Sequence, residues 1–99
     1  MKYIVLIEKL AEKFIVRLPK PDKERVLRAI YRLPEGNDIK ELKGKQNKGL
    51  YRLRVGDYRI IYTIDNGKLV VCVVDAGNRG DIYKKYSLFG IMYSLKTGL

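Results

Sequence analysis

Residues 51–64 read YRLRVGDYRIIYTI, and this stretch decides the fold. Arginine alternates with apolar or aromatic residues before Gly56-Asp57, and the alternation resumes after it, which is typical of two antiparallel strands joined by a tight turn. Because neighbouring strand residues point to opposite faces, Arg52 and Arg54 share one face of the first strand. On the second strand Arg59 alternates with Tyr58 and Ile60, so it points to the face opposite theirs. The pattern predicts a sheet with one apolar face toward the rest of the domain and one basic face toward solvent.

The residues that follow predict a second hairpin. Asn66-Gly67 favours a two-residue type I′ turn, because both residues tolerate positive φ angles. Residues 69–74 are almost continuously apolar, which predicts a central strand covered on both faces. Cys72 lies within this run and is interpreted as a small buried hydrophobe rather than a nucleophile.

The N-terminal third predicts a strand followed by two helices. Residues 2–7 are rich in β-branched side chains, and the period then changes to that of a helix. The first helix is expected to turn one apolar side inward, formed by Leu10, Phe14, Ile15 and Leu18. The turn at 18–22 ends it, and a second helix places Val26, Leu27, Ile30 and Leu33 inward. The expected fold is α+β: a twisted antiparallel β-sheet of about four strands with an N-terminal α-helical hairpin packed on one face.

The length of 99 residues suits one domain. We assign this domain to residues 1–86 and treat residues 87–99 as an apolar C-terminal tail, which either packs back on the sheet or forms part of a partner surface. No stretch approaches the length of a membrane span, and no secretory signal is visible, so a cytoplasmic protein without membrane contact is expected.

The net charge of the chain indicates which kinds of partner it could bind. Lys and Arg number 21 against 11 acidic residues, a net charge of +10 with a pI near 9.8. Such an excess indicates a polyanionic partner, namely nucleic acid, an anionic membrane or an acidic protein, although a merely solubilising surface is an alternative. The chain has no histidine and one cysteine, which excludes Ser–His and Cys–His catalysis and histidine-ligated metal sites.

A nuclease built from this chain would act without a metal ion or cofactor. Asp75 and Asp81 lie near basic residues and are not joined by a third carboxylate in a pattern typical of a two-metal site. RNA carries its own nucleophile, the 2′-hydroxyl, so basic side chains and a tyrosine of lowered pKa suffice for cleavage. Four tyrosines near the basic residues could stack on bases or lie at the edge of the core: Tyr51, Tyr58, Tyr83 and Tyr86.

Three motifs together resemble the RelE/ParE toxin superfamily. They are Leu42-Lys43-Gly44, the block from Leu50 to Tyr62, and the segment Gly77-Asn78-Arg79-Gly80-Asp81-Ile82-Tyr83. The resemblance implies a type II toxin of a toxin–antitoxin pair that cleaves mRNA in the ribosomal A site. It also implies a RelB-like acidic antitoxin, bound as a heterodimer or heterotetramer.

The resemblance assigns roles to individual residues. Arg52 is expected to contact the scissile phosphate, Arg59 to stabilise the transition state, and Arg79 to stabilise it or act as general acid. Tyr83 matches the candidate general base. Further residues are expected to bind mRNA or the ribosome: Lys43, Lys45, Lys48, Arg54, Lys84 and Lys85.

The sequence departs from the family pattern at two positions. Asn78 occupies a place where many relatives carry histidine, which leaves the arginine–tyrosine form of the mechanism. Leu50 stands where at least one relative has an additional lysine. Two alternatives stay open, namely a ParE-like toxin that poisons DNA gyrase without nuclease activity, and a catalytically degenerate relative.

Overall fold

The computed structural model describes residues 2–86. Three α-helices and a five-stranded sheet make up this part of the chain. The elements in chain order are β1 (Ile4–Ile7), α1 (Lys9–Val16), α2 (Lys20–Tyr31), β2 (Ile39–Glu41), a 3₁₀ turn (Lys45–Asn47), β3 (Tyr51–Val55), β4 (Tyr58–Asp65), β5 (Val70–Asn78) and α3 (Arg79–Lys85). The α+β class is confirmed, and the tail at 87–99, with its two expected roles, lies outside the described residues.

The two N-terminal helices pack against one face of the sheet, as predicted. Proline explains the break between them, since Pro19 caps α2 and Pro21 lies in its first turn, where no backbone N–H is needed. The expected inward face of α1 is wrong at Leu10, which is 53% exposed. Ala11 and Ile15 form the buried face instead.

The sheet order is β1-β5-β4-β3-β2. The sheet differs from the expected one of about four antiparallel strands in two details. The short strand β2 adds a fifth member by pairing with β3, and β1 pairs with β5 in parallel. In this pairing β1 forms one edge of the sheet, and β5 lies between β1 and β4.

Of the two predicted turns between strands, the structure has one as expected and the other with a different backbone geometry. The β3–β4 hairpin turns at Gly56, whose φ of +58° is the left-handed conformation that glycine accepts without strain. In the β4–β5 turn the predicted type I′ geometry at Asn66-Gly67 is wrong. Positive φ falls at Leu69 instead, at +56°, and four residues separate the paired Asp65 and Val70.

The helix-side face of the sheet holds the main core. Its fully buried side chains include Val26 and Ile30 from α2 and Ile60, Tyr62 and Val71 from the sheet. Burial of these apolar surfaces supplies most of the stability of a domain of this size.

The opposite face is not the open basic surface that alternation predicted. Part of it is covered by α3 and by the loop before β3, where Leu42, Ile61 and Ile82 form a second, smaller core. Arg59 lies on this face and is only 3% exposed. The short helix α3 thus converts one end of a solvent-facing sheet into a partly closed site.

A β-bulge in β5 determines which side chains reach this site. Ile61 pairs with Asp75 and Tyr62 with Val73, so Val74 is an extra residue in the ladder. Before the bulge Val71 and Val73 enter the main core, whereas after it Ala76 does. The shift places Asp75 on the face that carries Ile61 and Arg59.

Candidate functional site

Arg52 and Arg54 lie side by side on β3, held by one carboxylate. Arg52 Nη2 is 3.2 Å from Asp38 Oδ1, and Arg54 Nε is 3.1 Å from Asp38 Oδ2. The Arg52 side chain is 12% exposed, whereas that of Arg54 is 55% exposed. Asp38 also accepts the backbone N–H of Arg54 at its carbonyl oxygen, 3.0 Å away. Asp38 was not predicted as a site residue, although it orients both arginines.

Arg59 is a buried cation held by backbone carbonyls. Its Nη1 donates to the oxygens of Gly56 at 2.8 Å and Tyr58 at 3.0 Å. Among residues 2–86 no carboxylate lies within ion-pair distance of Arg59, and Arg54 stands directly opposite it on β3. Buried charges are costly unless they are paired, and like charges across a strand pair repel. A positive charge is therefore maintained here at the expense of stability.

Tyr83 lies on α3 with two arginines against its ring. The Arg59 Cζ atom is 5.7 Å from the centre of its ring, and the Arg79 Cζ atom is 6.0 Å away. A hydrogen bond with Arg59 lowers the pKa of the Tyr83 hydroxyl, and the positive charges of Arg59, Arg52 and Arg79 act in the same direction against burial. The fold thus brings together the four residues predicted as catalytic.

The other predicted base-stacking tyrosines do not face this site. Tyr51 stacks on Tyr62 at the edge of the main core, with ring centres 5.6 Å apart. Tyr58 packs edge-on against Phe14 and donates its hydroxyl hydrogen bond to Asp22 of α2, at 2.6 Å. Of the two roles left open for Tyr51 and Tyr58, the structure therefore gives both the one at the edge of the core, because alternation on their strands turns them toward the helices.

Tyr86 ends α3 and has a structural contact. Its hydroxyl donates to Asp75 Oδ2 at 2.8 Å, and both burial and this bond raise the pKa of Tyr86. A hydroxyl fixed in this way does not exchange protons with a substrate near neutral pH. Tyr86 instead links the C-terminal end of α3 to Asp75 of β5.

The predicted lysines lie on two elements, the loop between β2 and β3 and the helix α3. The exposed side chains of Lys43, Lys45 and Lys48 lie on the loop between β2 and β3, and Lys84 is exposed on α3. Lys85 is half exposed, and its Nζ is 2.7 Å from Asp75 Oδ2, so this lysine has an intramolecular partner.

Besides Asp38, three residues next to the site were not predicted as site residues from the sequence. They are Asn47 and Asp75, which are buried polar side chains, and Gly77. A Cβ on Gly77 would lie 3.2 Å from the Ile82 side chain, so glycine allows α3 to fold back closely on β5. The signal for Asp75 was its position directly after the apolar run of residues 69–74, within β5.

The arrangement offers a proton-accepting hydroxyl amid several fixed positive charges. Such a set can bind a phosphodiester, stabilise a more negative transition state and move a proton. Among residues 2–86 no group of three carboxylate or cysteine side chains is placed to hold a metal ion. Nor does this part of the chain contain a helix long and apolar enough to cross a membrane.

The fold is that of the RelE/ParE toxin superfamily. The profile of one family, described as the ParE toxin of type II toxin-antitoxin system, parDE, matches residues 5–83. The chain belongs to this family and is a toxin of a type II toxin–antitoxin system.

Solved structures agree with this assignment. The RelE–RelB complex of the archaeon Pyrococcus horikoshii is 35% identical, with a TM-score of 0.65, and the match covers 81% of this chain and 98% of that one. The RelB–RelE complex of Methanococcus jannaschii is 25% identical, with a TM-score of 0.65 and coverage of 82% and 98%. A free mutant of Escherichia coli RelE is similar in fold at 20% identity and a TM-score of 0.65, covering 92% and 100%. No curated protein matches the chain in sequence.

Proposed function

We propose that this toxin is a ribosome-dependent endoribonuclease that cleaves mRNA in the A site. One observation carries the proposal: Arg59 and Arg79 both lie within about 6 Å of the Tyr83 ring centre, and they lower the pKa of the Tyr83 hydroxyl. A protein that acts only by docking needs no tyrosine prepared in this way, and perturbed pKa values concentrate at catalytic sites.

Cleavage would proceed by attack of the RNA on itself. Tyr83, as phenolate, takes the proton of the 2′-hydroxyl, and the 2′-oxygen forms a bond to phosphorus. The bond from phosphorus to the 5′-oxygen breaks, and that oxygen takes a proton from the opposite side, where Arg79 is the candidate donor. The products are a 2′,3′-cyclic phosphate and a 5′-hydroxyl end.

The arginines would divide the remaining work according to their exposure. Arg79 is exposed and reaches a phosphate directly, whereas Arg59 is buried and acts by its charge on Tyr83 and on the transition state. Arg52 is intermediate and is aligned by Asp38. So few converging groups favour a substrate already positioned in the ribosome over free RNA, since orientation supplies much of the rate.

The test is primer extension on an mRNA translated by purified ribosomes, with the same RNA free of ribosomes as control. New 5′ ends within A-site codons in the ribosome sample alone are the expected result. No new ends in either sample, from protein shown by circular dichroism to be folded, would overturn the proposal.

A second candidate is a gyrase-poisoning toxin without nuclease activity. The observation in its favour is that the matching family profile is that of ParE toxins. It predicts cleaved gyrase–DNA complexes and intact mRNA in expressing cells. A chain that is harmless on overexpression and gives neither product would instead be a degenerate relative.

We also propose an acidic, RelB-like antitoxin as partner, in a heterodimer or heterotetramer. The net charge of +10 attracts an acidic chain that folds as it binds. The archaeal relatives at 35% and 25% identity were solved as RelE–RelB complexes. Co-expression with the neighbouring reading frame, followed by size-exclusion chromatography with light scattering, measures the stoichiometry.

A further inference from the structure

The helix that carries Tyr83 is too short to hold itself in place. α3 has seven residues, and Ile82 is its buried side chain. Isolated helices below about 12 residues are marginal in water, so tertiary contacts must fix its position. At its start, the Arg79 backbone N–H donates to the Asp57 carbonyl oxygen at 2.9 Å.

A buried carboxylate holds the other end of α3. Asp75 is 4% exposed, and its Oδ1 accepts the backbone N–H of Ala76 at 2.8 Å. Its Oδ2 accepts the Tyr86 hydroxyl at 2.8 Å and lies 2.7 Å from Lys85 Nζ. A buried carboxylate with partners at both oxygens holds its surroundings in one geometry.

A buried amide reaches the same residue from the loop before β3. Asn47 is 2% exposed, and its Nδ2 donates to the Tyr86 carbonyl oxygen at 2.7 Å and to the Lys43 carbonyl oxygen at 2.9 Å. Tyr86 is therefore bound through its side chain by Asp75 and through its backbone by Asn47. The second bond also joins α3 to the loop that carries Lys43, Lys45 and Lys48.

We infer that Asp75 and Asn47 are positioning residues, which act through Tyr86 to hold Tyr83 against Arg59. Tyr86 follows Tyr83 by three residues, slightly less than one helical turn, so a displaced C-terminal end of α3 moves the Tyr83 ring. The catalytic meaning of this positioning rests on the proposed nuclease function. The geometric part does not depend on that function and is measured separately.

The test uses two variants. Tyr86→Phe removes the hydrogen bond from the Tyr86 hydroxyl to Asp75, and Asn47→Leu removes the hydrogen bond from Asn47 to the Tyr86 carbonyl oxygen. Tyr58→Phe is the matched control, because it removes a tyrosine–carboxylate bond of similar length on the helix side of the sheet. The pKa of Tyr83 is followed in each full-length variant by ¹³Cζ tyrosine NMR, with Tyr83→Phe used to assign the signal. Cleavage on ribosomes is measured in parallel.

In Tyr86→Phe and Asn47→Leu we expect the Tyr83 pKa to rise toward its ordinary value and cleavage to slow by about tenfold or more, since displacement of about 1 Å can cost up to 100-fold. Tyr58→Phe should change neither quantity. An unchanged Tyr83 pKa in either folded variant overturns the inference, because stability alone does not move this titration. If wild-type protein cleaves no mRNA, the nuclease proposal fails while the titration still decides the positioning role.

Discussion

Replacing Tyr83 with phenylalanine removes one hydroxyl and leaves the ring in contact with its two arginines. Cation–π contact with Arg59 and Arg79 survives, since phenylalanine also has a negative ring face. The substitution removes the proton acceptor and the hydrogen bond with Arg59. General acid–base groups contribute about 10²- to 10⁴-fold in rate, or about 3–5 kcal/mol of transition-state stabilisation.

The assay is single-turnover cleavage of an mRNA in programmed ribosomes, with wild type, Tyr83→Phe and Tyr58→Phe compared at saturating protein. Tyr58→Phe should cleave at the wild-type rate, while loss of its bond to Asp22 lowers the unfolding free energy slightly. A Tyr83→Phe rate within threefold of wild type would refute the general-base role.

The dependence of the cleavage rate on pH gives an independent check on the same residue. A general base must be deprotonated, so the rate should rise with pH and level off at the pKa of Tyr83. Because the arginines lower this pKa below 10.0, the plateau begins at lower pH than for an ordinary tyrosine. Arg79→Ala removes one of these charges and should move the plateau upward. A wild-type rate independent of pH would contradict the assignment.

Three further predictions concern stability and binding. Tyr62→Phe should raise the unfolding free energy by about 1 kcal/mol in urea titrations, because the buried Tyr62 hydroxyl has no hydrogen-bond partner among residues 2–86. Burial raises the pKa of Tyr62 from 10.0 to about 12, so wild type should lose stability above pH 10 as the unfolded chain releases this proton first, and the variant should lose less. Gly56→Ala should cost about 1–2 kcal/mol because φ is +58°, whereas Gly67→Ala, at a position without positive φ, serves as the near-neutral control. The loop lysines Lys43, Lys45 and Lys48 are replaced together by alanine, and ribosome binding is measured as a function of salt concentration. The plot of log affinity against log salt should become flatter, by about 0.7–0.9 in slope for each phosphate that is no longer neutralised. An unchanged slope would show that these lysines do not contact the ribosome.

The sequence by itself determined the class of fold and the face of the arginines. Alternation in residues 51–64 encodes the β3–β4 hairpin, because side-chain direction in a strand depends on neighbouring positions alone. The two N-terminal helices are likewise predicted by local periodicity, and the break between them by the prolines at positions 19 and 21. The family resemblance, carried by short motifs, brought Arg52, Arg59, Arg79 and Tyr83 into one proposed site.

Only the tertiary structure decided how that site is closed and supported. The parallel pairing of β1 with β5, the return of α3 over Gly77 and the burial of Arg59 all depend on contacts between distant segments, which local patterns do not encode. The bulge at Val74 is the clearest case, because strict alternation would turn Asp75 into the main core. One extra residue in the ladder reverses its direction, and the carboxylate meets Tyr86 on the opposite face.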